Sequence, residues 1–202
     1  YRRSSSRIRG FSEVQATRTH IPVPFDLRPN GSYQTTEKDT PPSKNLKKIM
    51  KTALITGASS GFGEAIALHY AEKGLRLIIC ARRSERLKDL KREIESEYRS
   101  DVKILSFDLQ DRAEVESAIE SLPADWLPID ILINNAGLAV GKSTIENGEI
   151  EDWERMLDTN VKGLLYITRK LIPILKESNN PHIVNIGSIA GTEVYPGGNV
   201  YC

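Results

Sequence analysis

Between residues 50 and 186 the apolar positions alternate between two rhythms. Thr52–Ile55 is a short apolar run of the kind that forms a strand covered on both faces, and a glycine-rich turn follows it. Helical character runs from Gly63 to Lys73, with the helix opening near Gly61, and Gly74 is a natural stop. Leu75–Cys80 (LRLIIC) is a second buried strand. Ser84–Arg99 is a charged helix carrying Leu87, Leu90 and Ile94 at helical spacing. Val102–Phe107 is a third strand. Asp111 and Glu114 resemble a capping box, opening a helix with the stripe Val115, Ala118, Ile119 and Leu122 that Pro123 ends. Ile129–Ile133 is a fourth strand and 138–150 a polar loop. Trp153, Met156 and Leu157 mark a short helix. Val161, Leu164, Leu165, Thr168, Leu171, Ile172 and Leu175 extend a long stripe, which Pro173 should bend. Ile183–Ile186 is a fifth strand. Strand and helix thus alternate five times, which predicts an α/β chain: a doubly wound parallel sheet in three α/β/α layers.

Residues 1–49 follow neither rhythm. They are rich in Arg, Ser, Thr and Pro and poor in apolar residues, a composition that cannot bury enough surface to offset its ordering entropy. They are expected to be a disordered leader. Their Arg/Ser-rich, acid-poor start fits an organelle transit peptide, and a non-native origin fits as well, since Met50 stands immediately before the first strand. The leader holds ten Lys/Arg and four Asp/Glu, leaving 18 basic and 23 acidic residues for 50–202. The globular part is mildly acidic, which argues against a nucleic-acid surface. No apolar run reaches the ~18 residues of a membrane span, so no membrane partner is expected. Cys80 and Cys202 make neither a disulfide framework nor a metal-spaced pair, which favours a reducing compartment; a cytoplasmic protein is expected. No His/Cys/Asp cluster has metal-ligand spacing, and no metal is expected.

Candidate chemistry concentrates at the strand ends. TALITGASSGFG (52–63) places Gly57, Gly61 and Gly63 between a strand and a helix. That arrangement supplies a tight turn, close backbone approach to a pyrophosphate, and helix-on-strand contact, with a helix N-terminus aimed at the phosphate. About 20 residues past the glycines, a Rossmann-type fold that prefers NAD carries a carboxylate. This chain has Arg82 and Arg83 there, and guanidinium groups suit the 2′-phosphate of NADP. Asp108, at the third strand's end, either receives a bond from an adenine amine or caps a turn; the residues leave both open. NNAG (134–137) ends the fourth strand, where open parallel sheets bind ligands, and suits contact with a ribose and nicotinamide. His69 and His182 read as structural, Trp126 and Trp153 as packing residues, and Cys80 as an inert core thiol.

Taken together, TGASSGFG (56–63), NNAG (134–137), Asn160 in DTNVKG, Ser188 in NIGSIAG and Tyr201 thirteen residues later resemble the short-chain dehydrogenase/reductase family. The likeness runs from Met50 to Cys202. Within the family, GFG (61–63), ARRSERL (81–87), SLPADW (121–126), IDILINNAGLA (129–139) and PGGNVY (196–201) are most similar to NADP-dependent 3-hydroxy acid dehydrogenases, which also oxidise serine and allo-threonine. The resemblance implies an NADP-dependent oxidoreductase acting on a small-molecule substrate, and a homo-oligomer paired through the long helix at 161–176. It implies Tyr201 as the general acid/base, Ser188 as the holder of the substrate oxygen, and Asn160 as the residue ordering its helix and a relay water. It also implies Ser59, Ser60, Phe62, Leu109, Asn135 and Tyr201, beside the glycines, arginines and Asp108, as cofactor contacts. A free tyrosine titrates near ~10 and needs a neighbouring cation to cycle at neutral pH. The family supplies a lysine four residues on, at a position 205 that lies past Cys202. The expectation is therefore a Rossmann domain at 50–202 that lacks its last strands, binds NADP poorly as these 202 residues alone, and shows no turnover. Another short-chain carbonyl or ketoacyl reductase, or a non-catalytic NADP-binding protein, are the alternatives.

Overall fold

The computed structural model describes residues 50–202, so the expectations for the leader at 1–49 lie outside the described residues. The chain runs β1 (Thr52–Thr56), α1 (Gly61–Glu72), β2 (Arg76–Ala81), α2 (Ser84–Glu97), β3 (Val102–Ser106), α3 (Arg112–Glu120), β4 (Ile131–Asn134), α4 (Ile150–Leu157), a π-helical turn (Asp158–Gly163), α5 (Leu164–Leu175) and β5 (His182–Asn185). Short 3-10 turns occupy Ala124–Trp126, Ile145–Asn147, Ile189–Gly191 and Asn199–Tyr201.

All strand pairs are parallel and the sheet order is β3-β2-β1-β4-β5. From β1 the chain steps outward to β2 and β3, then returns to lay β4 on the other side of β1. Crossovers between parallel strands are right-handed, so reversing the direction of travel reverses the face on which the helices land. The expected doubly wound Rossmann-type sheet follows.

The period of two in the strands sorts their side chains between the two faces. Ala53, Ile55, Leu77, Ile79 and Ile133 pack with Ala67 and Ala71 of α1 and Leu87, Leu90 and Ile94 of α2. Leu54, Ile78, Cys80, Leu105 and Leu132 pack with Val115 and Ile119 of α3 and Ile167, Leu171 and Leu175 of α5. Each fully buried Leu or Ile is worth about 1.5–3 kcal/mol in transfer free energy. Strand β1 and the four inner residues of β2 are buried throughout. Strand β5 is an edge, and all four of its residues are exposed.

At the opposite end from the glycine turn, one carboxylate ties three segments. Asp130 Oδ2 accepts the N–H of Thr52 at 2.7 Å, and Oδ1 accepts the hydroxyl of Ser178 at 2.6 Å. Beside it, the Arg76 guanidinium stacks 4.2 Å from the Trp126 ring centre and donates to the Asp125 carbonyl at 2.7 Å.

Three details depart from the sequence expectations. The element ends shift by one or two residues, as in β4, which begins at Ile131 and runs to Asn134. The capping box is only half formed: Asp111 Oδ1 accepts from the Ala113 and Glu114 N–H groups, but Glu114 accepts from Asp108 N. The largest difference is the π turn, because side-chain periodicity carries no mark of one extra residue in a helical turn. Among the described residues no helix is long and apolar enough to cross a membrane.

Candidate active site

A cleft of about 490 Å³ opens at the C-terminal ends of β1 to β4, on the switch point where β1 and β4 lead their helices to opposite faces. Its floor is the turn after β1. Gly57 adopts φ +67°, a left-handed conformation, and a Cβ there would lie 2.8 Å from the Ala136 backbone. Gly63 faces the carbonyl of Gly57, and a Cβ on it would lie 2.5 Å from Asn135 Nδ2. Both positions therefore require glycine, one for conformation and closeness, the other for closeness alone.

Asn135 pins this turn to β4. Its Nδ2 donates to the carbonyls of Thr56 (2.9 Å) and Gly57 (3.3 Å). The buried Thr56 hydroxyl returns the link, accepting from the N–H groups of Asn135 and Ala136, both at 3.0 Å. These bonds fix the spacing between the turn and the NNAG segment before any ligand arrives.

One side of the cleft is cationic. The Arg83 guanidinium donates to Ser59 Oγ at 3.2 and 2.9 Å and to Ser60 Oγ at 2.7 Å. Those partners are neutral, so its charge is uncompensated by them. Arg82 faces Asp108 at 3.5 Å, and Asp108 Oδ1 also accepts from Gln110 N at 3.0 Å. Asp108 therefore caps its turn while lining the cleft. Cys80 lies at the cleft's edge, where burial pushes its thiol well up from the usual range.

The opposite wall is Ala136, Gly137 and Leu138. Asn160, in the π turn, grips it with both ends of its amide: Oδ1 accepts from Leu138 N (2.9 Å) and Nδ2 donates to Leu138 O (2.8 Å). Within the π turn, the Asp158 carboxylate lies 2.7 Å from Lys162 and raises the ammonium's pKa.

Of the residues singled out from the sequence, Gly57, Ser59, Ser60, Phe62, Arg82, Arg83, Asp108, Leu109 and Asn135 line this cleft together. Gly61, Gly63, Asn160, Ser188 and Tyr201 do not. Ser188 follows β5, and its Oγ accepts from Ala190 N at 3.2 Å. Tyr201 ends the last 3-10 turn, which is tied to the loop after β4 where Asn199 Nδ2 donates to the Ser143 carbonyl at 3.0 Å. Sequence reasoning missed Leu138 and Thr159, both cleft-lining. Neither belongs to a glycine or charge pattern, although both lie inside quoted motifs, Leu138 in IDILINNAGLA (129–139) and Thr159 in DTNVKG.

A parallel sheet with a glycine-floored, arginine-rimmed cleft at its switch point defines a nucleotide-binding domain of Rossmann type. Comparison with known proteins narrows this. The family model for short chain dehydrogenases matches residues 51–202, and the chain belongs to that family. The NADP-dependent 3-hydroxy acid dehydrogenase YdfG of Escherichia coli K12 is 48% identical over 148 residues, 73% of this chain and 58% of that protein. The NADP-dependent 3-hydroxy acid dehydrogenase of Schizosaccharomyces pombe is 44% identical over 153 residues, covering 75% and 59%. A crystal structure of serine dehydrogenase from Escherichia coli superposes with a TM-score of 0.69 at 47% identity, covering 74% of this chain and 68% of that one. The closed form of serine dehydrogenase complexed with NADP+ gives a TM-score of 0.68 at 47% identity, covering 74% and 59%. The chain thus spans about 58% of the length of the curated relatives it matches.

Proposed function

We propose that this chain is the cofactor-binding part of an NADP-dependent oxidoreductase that moves a hydride between the nicotinamide and the hydroxyl-bearing carbon of a small 3-hydroxy acid, of the serine or allo-threonine type. The observation that carries the cofactor reading is the Arg83 guanidinium, held over the glycine turn by the neutral hydroxyls of Ser59 and Ser60. A bidentate-capable cation on neutral partners, with no ion pair among the described residues, at the ribose end of a dinucleotide cleft suits a phosphate dianion. The substrate reading is supported by relatives at 48% and 44% identity that are 3-hydroxy acid dehydrogenases.

In this reading Gly57 and the start of α1 receive the pyrophosphate, Arg83 and Arg82 the 2′-phosphate, Asp108 and Leu109 the adenine, and Asn135 to Leu138 the nicotinamide riboside. The bound cofactor supplies or accepts the hydride. In the reducing direction the Ser188 hydroxyl donates to the substrate oxygen and Tyr201 gives its phenolic proton to the alkoxide as it forms. Asn160 holds the wall at Leu138. The outer face of the α4–α5 run exposes Leu157, Val161 and Leu165 at a spacing of four, and Ile172 beyond them. That stripe supports a homo-oligomer paired along this helix.

The test is a chimera in which residues 50–202 continue into the C-terminal part of the Escherichia coli relative. NADPH absorbance is followed with 3-hydroxy acids, serine and threonine isomers, and bulky ketones. Preference for the hydroxy acids, lost in Tyr201→Phe, is expected. Equal rates on bulky ketones would sink the substrate assignment.

A further inference from the structure

The π turn at Asp158–Gly163 touches both walls of the cleft. On one side, Asn160 grips the Leu138 backbone. On the other, Gln110 Nε2 donates to the hydroxyl of Thr159 at 2.6 Å. Four residues on, Gly163 lies so close to Leu109 that a Cβ would come within 2.7 Å of its Cγ and 2.9 Å of its carbonyl oxygen. Thr159 and Gly163 are buried, and Gln110 is half-buried.

Apart from the Arg82 contact to Asp108 Oδ2 at 3.5 Å, the other hydrogen bonds of the segment 108–111 are local. Asp108 N donates to Glu114, Gln110 N to Asp108 Oδ1, and Asp111 N to Asp108 O. Among the described residues, Gln110–Thr159 is the one hydrogen bond joining this segment to the π turn. Leu109 lines the cleft and Gln110 does not.

We propose that Gln110 and Thr159, through the bond between them, are positioning residues that brace the Asp108–Leu109 wall of the cleft against the helix carrying Asn160, setting the gape that the dinucleotide meets. The brace rests on the NADP reading for its ligand, but not for its existence. Because Gln110 stands outside the cleft lining, an effect of its removal on dinucleotide binding passes through the wall and not through a lost ligand contact.

Two measurements on the 202-residue chain test this: NADP affinity by titration, and amide exchange at Leu109 and Gln110 in the free protein. Gln110→Leu should weaken NADP about fivefold, the effect of one neutral hydrogen bond, and speed exchange at those two amides with β1 and β2 unchanged. Gln110→Leu should add nothing on a Thr159→Val background. The proposal is overturned if Gln110→Leu leaves exchange at 109–110 unchanged, if NADP affinity is unchanged in a parent that binds it, or if the substitution weakens binding equally on both backgrounds. If exchange responds as expected but the parent binds no NADP, the cofactor reading fails and the brace stands.

Discussion

Replacing Gly63 by alanine probes the contact that holds the glycine turn, α1 and β4 together. In an exposed helix this change gains about 1 kcal/mol, because alanine loses less conformational freedom. Here the added methyl would press on the Gly57 carbonyl and lie 2.5 Å from Asn135 Nδ2. Neither neighbour has room to retreat. Gly57 already stands so near Ala136 that its own Cβ position is 2.8 Å from that backbone. The Asn135 amide is committed to Thr56 and Gly57 at 2.9 and 3.3 Å. Relief needs either α1 to lift from the sheet or Asn135 to release its bonds. Overpacking costs about 1–3 kcal/mol and a released buried amide about 1–3 more, so the net is about 1–5 kcal/mol of destabilisation after the helix gain. Urea denaturation reads this directly. A second arm isolates the mechanism: on an Asn135→Ala background, which removes the amide, the cost of Gly63→Ala should fall by at least about 1 kcal/mol. A Gly63→Ala protein as stable as the parent, or additive costs in the double variant, would refute the reasoning.

Other parts of the molecule give further expectations. Removing the Asp130 carboxylate (Asp130→Ala) strands the Thr52 N–H and the Ser178 hydroxyl, which it accepts at 2.7 and 2.6 Å. The expected loss is about 2–4 kcal/mol in urea denaturation, with Asp130→Asn costing less, and a change under about 0.5 kcal/mol would contradict the clamp. Burial raises the Cys80 thiol's pKa in the folded state, so the unfolded chain loses that proton first as pH rises. Stability is full below the unfolded thiol's ~8.5 and falls above it by up to about 1.4 kcal/mol per pH unit; the fall should be shallower in Cys80→Ala, and equal slopes would contradict it. Under native conditions a thiol reagent should label exposed Cys202 at once and Cys80 only on unfolding. Equal labelling rates would count against the burial of Cys80.

The alternation of strands and helices was legible because each element has one strong period: Leu87, Leu90 and Ile94 mark a helix face, and the runs at 53–55 and 77–80 mark strands buried on both sides. The glycine turn and the two arginines were legible for a different reason, since backbone conformation and phosphate chemistry restrict residue type at fixed distances from a strand. The π turn was not. Asp158–Gly163 reads as a continuation of the helix on either side of it, and its consequences, Asn160 on Leu138 and Gly163 on Leu109, are contacts between distant segments. Asp108, open between two roles in the sequence, caps its turn through Gln110 N and also lines the cleft. The Glu114 carboxylate shows the opposite failure: a local pattern pointed to a capping box, and the nearby Asp108 N–H captured it.

Under the proposed function, the cleft holds a phosphorylated nicotinamide dinucleotide with its 2′-phosphate on Arg83. The most direct measurement is the ratio of NADPH to NADH affinity, determined by titration of this chain and of Arg83→Ala. A charge-assisted contact to a phosphate is worth about 1.5–3 kcal/mol, so NADPH should bind about 10- to 100-fold more tightly, with most of that preference gone in the variant. Equal affinities in the parent, or a preference that survives the loss of Arg83, would contradict it.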